Sequence, residues 1–343
     1  MDDQGVPRLT DLTVGVLYNL PTPPPRGEAM DYVAEREVEE QVDAVEDALD
    51  HLGLPHHRFP LTEDIEGLVT ELKASTPDVV INLCEGAFGD SRFEMNVPSL
   101  LELLRVPYTG SPPLALGLCQ HKGLAKAVLR ANGIPTPDYQ LLCRIDEWAG
   151  GLTFPLFVKP VREDGSVGIT KACFVQDAAA LKHRVEYILT RYQQPALVER
   201  YIAGRELNVA LLGYPRPTVL PLSEIVFTSP EEPKIVDYAA KWLRESDEYR
   251  QTVPTCPADL PPSTRALVAS WAQAAFQALG CRDYARMDIR LKDGVPYVLE
   301  VNPNPDLAPD AGYARSLTAA GISYAAFIDR LIGFALERRH VPQ

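Results

Sequence analysis

The spacing of apolar residues in the first hundred positions alternates between short buried strands and amphipathic helices. Thr13 to Tyr18 is an apolar run of strand length, closed by a proline-rich loop from Pro21 to Pro25. Helical spacing predicts a helix from about Ala34 to Leu52 and a second near Glu63 to Lys73, leading into a strand from Asp78 to Leu83. This β-α-β-α-β alternation implies a parallel sheet with helices on its faces. Ligands approach such sheets at the carboxyl ends of the strands, here the loops after Tyr18 and Leu83.

Farther along, the helix Lys122 to Asn132 ends at Gly133, a good C-terminal cap, and Pro135 and Pro137 mark a hinge. Strands are expected at Pro155 to Val161, Ile169 to Val175 and Ala196 to Tyr201, with a helix from Ala178 to Tyr192. A last lobe holds strands Glu206 to Leu212 and Thr218 to Ile225, the long helix Pro261 to Leu279, a hairpin and terminal helices. The fold class is α/β (α+β). A chain of 343 residues exceeds the usual single core, so lobes around a cleft are expected, divided at 1–112, 113–198 and 199–343.

The hairpin carries the most chemistry. Arg286 and Asp288 alternate with apolar residues and share one face of their strand, and Glu300 and Asn302 share one face of theirs. A two-residue loop would put the two sets on opposite faces. A three-residue loop, Lys292 to Gly294 with Gly294 left-handed, would unite them, and this is the expectation. Two carboxylates and an amide oxygen beside an arginine make a hard oxygen site suited to Mg2+ that also binds substrate phosphates. The alternative is an edge hairpin with a solvated charged face.

Between Val161 and Ile169 runs a turn containing Gly165, Ser166 and Gly168, whose backbone amides suit phosphate oxygens. Lys159, at the end of the preceding strand, reaches toward the same place. No GxxxxGK[ST] sequence is present, which excludes the ordinary P-loop.

Charge narrows the partners. The formal net charge of −14 and the lack of a basic stripe argue against nucleic acid. No apolar run reaches the roughly 18 residues of a membrane helix, and the acidic N-terminus lacks a signal-peptide core, so a cytoplasmic protein is expected. The six cysteines show no zinc or CxxC spacing and read as reduced and mostly buried.

Taken together, Ala34 to Val38, Pro107 to Ser111, His121-Lys122, Phe157 to Pro160, Glu199 to Glu206, Tyr238 to Lys241, Arg286 to Asp288 and Leu299 to Asn302 resemble D-alanine-D-alanine ligase and its relatives in the ATP-grasp superfamily. The resemblance implies a Rossmann-like N-terminal domain and two lobes that grasp ATP. It implies phosphate contacts at Lys122, Lys159 and Lys241, with the turn at Gly165, Ser166 and Gly168 closing over the phosphates. Glu199, Tyr201, Ile202 and Glu206 resemble the nucleoside site. Asp288, Glu300 and Asn302 resemble ligands of two Mg2+ ions, with Mn2+ as a substitute. Arg286 is similar to the residue that stabilises the tetrahedral intermediate, with Lys241 and Glu35 as further catalytic groups. The implied enzyme is a homodimer that phosphorylates a small-molecule carboxylate with ATP and lets an amine displace phosphate.

Several positions depart from that family. Glu85 stands where the family has histidine, Gly165 where it has the first serine of its loop, and Trp242 where tyrosine is usual; the partners of Glu35 are missing, and the loop Ala87 to Val97 is longer. D-Alanine is therefore not the expected first substrate. In that comparison Asp306 stands where the family has a glycine and Ala311 where it has the serine that grips the incoming carboxylate; with Asp306 and Asp310 adding negative charge a neutral or cationic amine is expected, the alternative being that both aspartates face solvent or cap the helix that begins near Tyr313. Two other readings stand beside this ligase: a divergent cell-wall dipeptide ligase and an ATP-binding regulatory pseudoenzyme.

Overall fold

β1 (Val14–Asn19) is buried at every position, as a strand covered on both faces must be. It pairs in parallel with β2 (His56–Leu61) on one side and β3 (Val79–Asn82) on the other. The computed structural model describes residues 12–22, 26–28 and 38–338. Within them the first predicted helix spans Val38–Leu52, and the second spans Ile65–Ser75, with Asp64 accepting from the Gly67 amide as its N-cap. Val42, Val45 and Leu49 pack in one core with Phe327, Ile328 and Leu331, so the terminal helix Tyr324–Arg338 returns to the first sheet.

A second sheet is antiparallel, in the order β4 (Tyr139–Leu142), β7 (Ala196–Arg200), β5 (Leu156–Pro160), β6 (Phe174–Val175). The helix Ala178–Arg191 covers it through Leu181, Val185 and Ile188. The strand expected from Ile169 to Val175 shrinks to two residues. Gly165, Ser166 and Gly168 take φ of 61°, 64° and 72°, which no extended strand permits, and a 3-10 turn at Lys171–Cys173 follows.

The third sheet runs β11 (Thr252–Thr255), β10 (Ser223–Phe227), β8 (Arg205–Gly213), β12 (Asp283–Lys292), β13 (Val295–Asn302), with β9 (Thr218–Val219) added to β8. The single strand expected from Thr218 to Ile225 divides at Pro221, which has no N–H to give a ladder. Helix Pro262–Ala278 lays Val268, Ala272 and Phe276 on one face of this sheet, and helix Lys122–Ala131 adds Ala125 and Leu129 to the same core. The opposite face looks toward the second sheet across a cavity. No single helix among the described residues is long and apolar enough to cross a membrane.

Candidate active site

The hairpin β12–β13 turns on two residues, Asp293 and Gly294, both with positive φ (51° and 77°), and not on the expected three. Regular pairing from that turn would set Glu300 opposite Met287, a core residue. The register instead shifts between Asp288 and Ile289: Val298 faces Ile289, Glu300 faces Asp288, and Leu299 is the extra residue of a β-bulge. The additional residue sits in the strand and not in the turn. Arg286, Asp288, Glu300 and Asn302 consequently share one face, the outcome expected from the sequence by another route.

Around these groups the charges interlock. Asp288 Oδ1 accepts from Asn208 Nδ2 (2.7 Å), its register partner on β8, and from Arg286 Nε (3.1 Å). Lys159 Nζ lies 3.4 Å from Glu300 Oε2 and 3.3 Å from Glu199 Oε1, and Lys122 Nζ lies 3.8 Å from Glu300. Burial pushes the Glu300 carboxyl up, but Lys122, Lys159 and Arg286 outweigh it and hold it at about 2. Burial likewise opposes the Lys159 charge, yet Glu199 and Glu300 raise it above the ordinary lysine range. Lys122 also donates to Glu163 O (2.5 Å) and to Asp164 Oδ1 (2.6 Å), which ties the glycine turn to the helix it begins.

Gly165, Ser166, Lys241 and Trp242 stand together on the cavity wall. Trp242 Nε1 donates to Gly165 O (3.0 Å), Ser166 Oγ donates to Val236 O (2.9 Å), and Lys241 Nζ lies 4.3 Å from the Trp242 ring centre. Gly168 is off the wall. A Cβ there would come within 2.9 Å of Pro160 and 3.0 Å of Tyr192, so this glycine is demanded by packing.

Glu206 lines the cavity but is held by Arg290 Nη2 at 2.5 Å. Burial raises its pKa against the pull of Arg290. Glu199 is fully buried between Lys126 (2.8 Å) and Lys159, and neither it nor Tyr201, Ile202 or Asn302 forms part of the wall. Tyr201 donates to Glu232 Oε2 (2.7 Å), and Asn302 Oδ1 accepts from the Asn304 amide (3.0 Å). Asp306 and Asp310 are on the wall, Glu85 and the loop 87–97 are not, and Glu35 lies outside the described residues.

Four residues of this site were passed over in the sequence: Lys126, Asn208, Arg290 and Arg315. Two of them carried a signal. Arg290 continues the alternation of Arg286 and Asp288, and Lys126 falls four residues after Lys122 on the same helix face. Asn208 and Arg315 become visible only once strand pairing and helix docking are known.

The cavity encloses about 670 Å³, with lysines and a glycine turn at one wall and facing carboxylates at the other. Asp288 and Glu300, adjacent across the ladder and both on the cavity wall, present carboxylate oxygens of the kind that take Mg2+ carried with phosphates, while Asn302 shares their face but is off the wall, its Oδ1 taken by the Asn304 amide. A cleft of this composition between two antiparallel sheets defines an ATP-grasp ligase, which uses ATP and magnesium on small-molecule substrates.

The chain belongs to the D-alanine–D-alanine ligase family: the family model described as D-ala D-ala ligase C-terminus matches residues 128–333. It is 33% identical to the D-alanine–D-alanine ligase of Ralstonia nicotianae, over 84% of this chain and 83% of that one. An uncharacterized protein of Sinorhizobium fredii is 39% identical over 86% of this chain and 87% of its own length. The D-alanine–D-alanine ligase of Bacillus anthracis superimposes with a TM-score of 0.75 at 28% identity, covering 96% of this chain and 98% of that one. The chain is an ATP-dependent enzyme that forms C–N bonds, joining a carboxylate to an amine.

Proposed function

We propose that the reaction takes place between the glycine turn and the β12–β13 face, on a substrate pair other than two D-alanines. The observation that carries the place of reaction is the convergence of Lys122, Lys159, Asp288 and Glu300 with Arg286 on one cavity, and the altered substrate pair rests on the departing residues Gly165, Trp242, Asp306 and Ala311, which line the same cavity. Asp288 and Glu300, with Asn302 beside them, would hold two Mg2+ ions, for which Mn2+ would substitute. Magnesium, when bound, neutralises the phosphate oxygens during transfer. Lys159 and Lys122 orient the phosphates, and Lys241 with the amides of Gly165 and Ser166 faces the transferred group.

In the first step a carboxylate oxygen of the substrate attacks the γ-phosphorus; the bond to the β-phosphate oxygen breaks and ADP departs. In the second the amine nitrogen attacks the acyl carbon, phosphate leaves with the electron pair of the C–O bond, and the amine loses a proton. Arg286, held against Asp288, meets the oxyanion that develops on the acyl group. Glu199 acts on the nucleoside end through Lys159, Glu206 and Arg290 border it, and Tyr201 and Ile202 support the strand connection beside them. Gly168 is a packing residue of the turn. For Glu35 the role toward the carboxylate substrate rests on the resemblance alone. The units 1–112, 113–198 and 199–343 assemble this site in a cytoplasmic homodimer.

Relatives at 33% identity named D-alanine–D-alanine ligase favour a second reading, a dipeptide ligase with an altered pocket. ADP release measured across a panel of amino acids, with and without added amines, tests both. Turnover of a carboxylate other than D-alanine supports the first, D-alanine turnover alone the second, and no release with any pair rejects both.

A further inference from the structure

Arg184 stands among Leu181, Val185 and Ile188 on the buried face of the helix Ala178–Arg191, with 5% of its surface exposed. An arginine on such a face is unfavourable unless its charge is met. Among the described residues Arg184 makes no ion pair, and its Nε is buried without a hydrogen-bond partner. The Tyr187 ring lies 4.7 Å from the guanidinium carbon, and Nη2 donates to Gly168 O and to Cys173 Sγ (3.1 Å). The one strong acceptor this charge meets is therefore a peptide oxygen at the end of the glycine turn.

That peptide begins a series. The Gly168–Ile169 unit donates its N–H to Ser166 O (3.0 Å), and the Ser166–Val167 unit donates its N–H to Asp164 O (3.0 Å). The Asp164–Gly165 unit ends the series, and its N–H belongs to Gly165, a residue of the cavity wall. Each unit accepts at its oxygen and donates at its nitrogen, so polarisation travels one way. A cation that draws electrons toward Gly168 O makes the Ile169, Val167 and Gly165 N–H groups stronger donors in turn. We propose that Arg184 is a positioning residue for the transferred phosphate. It acts through the turn, holding Gly168 O and strengthening the Gly165 amide, and the phosphate supplies the counter-charge that the fold does not. This rests on the reading that places the phosphates at the glycine turn.

Calorimetry of Mg-ATP and Mg-ADP on the full chain tests it. Arg184→Met is expected to raise Kd for Mg-ATP on the order of tenfold and Kd for Mg-ADP less, because the turn faces the transferred group. Its urea midpoint without ligand should match or exceed that of wild type, since no carboxylate loses a partner and Cys173 Sγ still donates to Gly168 O (3.4 Å). Arg184→Lys, which keeps the charge, should bind Mg-ATP more tightly than Arg184→Gln, which keeps a donor alone. A Kd for Mg-ATP in Arg184→Met within about twofold of wild type, or equal weakening of ATP and ADP, overturns the proposal. If Arg184→Met does not fold, the Lys and Gln variants decide, and equal binding by the two overturns it. Lys159→Ala separates this proposal from the reading beneath it. Weakened binding in Lys159→Ala with normal binding in Arg184→Met removes the role of Arg184 alone, whereas normal binding in both removes the placing of the phosphates and the proposal with it.

Discussion

Lys159 and Glu300 belong to different sheets, yet their charged atoms lie 3.4 Å apart across the cavity. The contact joins the lobe that carries the glycine turn to the lobe that carries the oxygen ligands. Glu300→Gln keeps the shape of the side chain and removes the charge. The variant is expected to show a smaller thermal shift with Mg-ATP than wild type and no turnover, because the proposed metal clamp on the phosphates would need both carboxylates. A normal shift together with normal ADP release in the variant would falsify the metal assignment.

Lys159 and Arg286 should separate in steady-state kinetics. In the proposed mechanism Lys159 meets phosphate charge already present in bound ATP, so Lys159→Ala is expected to raise KM for ATP. Arg286, on the same proposal, meets charge that appears only as the acyl carbon becomes tetrahedral, so Arg286→Ala should mainly lower kcat. Equal effects of the two variants on ATP affinity alone would contradict these roles.

Much of this arrangement was legible in the chain before its fold was known, for definite physical reasons. Period-two alternation marked Arg286, Asp288, Glu300 and Asn302, since every second side chain of a strand must share a face. What the chain could not reveal was where the one extra residue would go. Turn and bulge give the same facing, and the apolar Leu299 looks like any strand residue until its neighbours are paired. Arg315 was hidden for a similar reason: its meaning depends on which carboxylates reach it, and that is settled by packing between distant segments.

Lys126 allows a test by pH. Burial pulls its pKa down to about 8, with Glu199 opposing and Lys159 adding to the fall, because two ammonium groups share one carboxylate. An unfolded lysine titrates near about 10.4. Between these values the unfolded chain binds more protons than the folded one, so this group makes stability rise with pH from about 8 to about 10.4. Relative to Lys126→Met, wild type should gain up to about 3 kcal/mol as pH is raised from 7 to 10.5. Denaturant melts of both proteins at several pH values measure the difference, and a constant gap would refute the shared-carboxylate account.

The last prediction concerns Asn304, which fastens the end of β13 to the first lobe. Its Nδ2 donates to Cys84 O (3.0 Å) and Glu94 Oε1 (3.2 Å), its Oδ1 accepts from Tyr284 OH (3.0 Å), and its amide donates to Asn302 Oδ1. Removing the side chain strands three buried polar groups at once. Asn304→Ala is therefore expected to cost about 2–4 kcal/mol. Glu94 is different. Burial first, then Asp164 and Glu85, raise its pKa well above the usual carboxylate range, while the Asn304 contact pulls the other way. A folded pKa above the unfolded one gives stability that is fully present at low pH and is lost as pH rises through the folded value. Glu94→Gln retains the acceptor for Asn304 and never ionises. It should match wild type near about pH 4, the unfolded glutamate range, and become the more stable of the two as pH rises. Urea midpoints at pH 5, 7 and 9 follow both variants. A Glu94→Gln protein that loses stability as steeply with pH as wild type would show that the carboxyl is ionised in the fold, and that Asn304 anchors the strand to a charge.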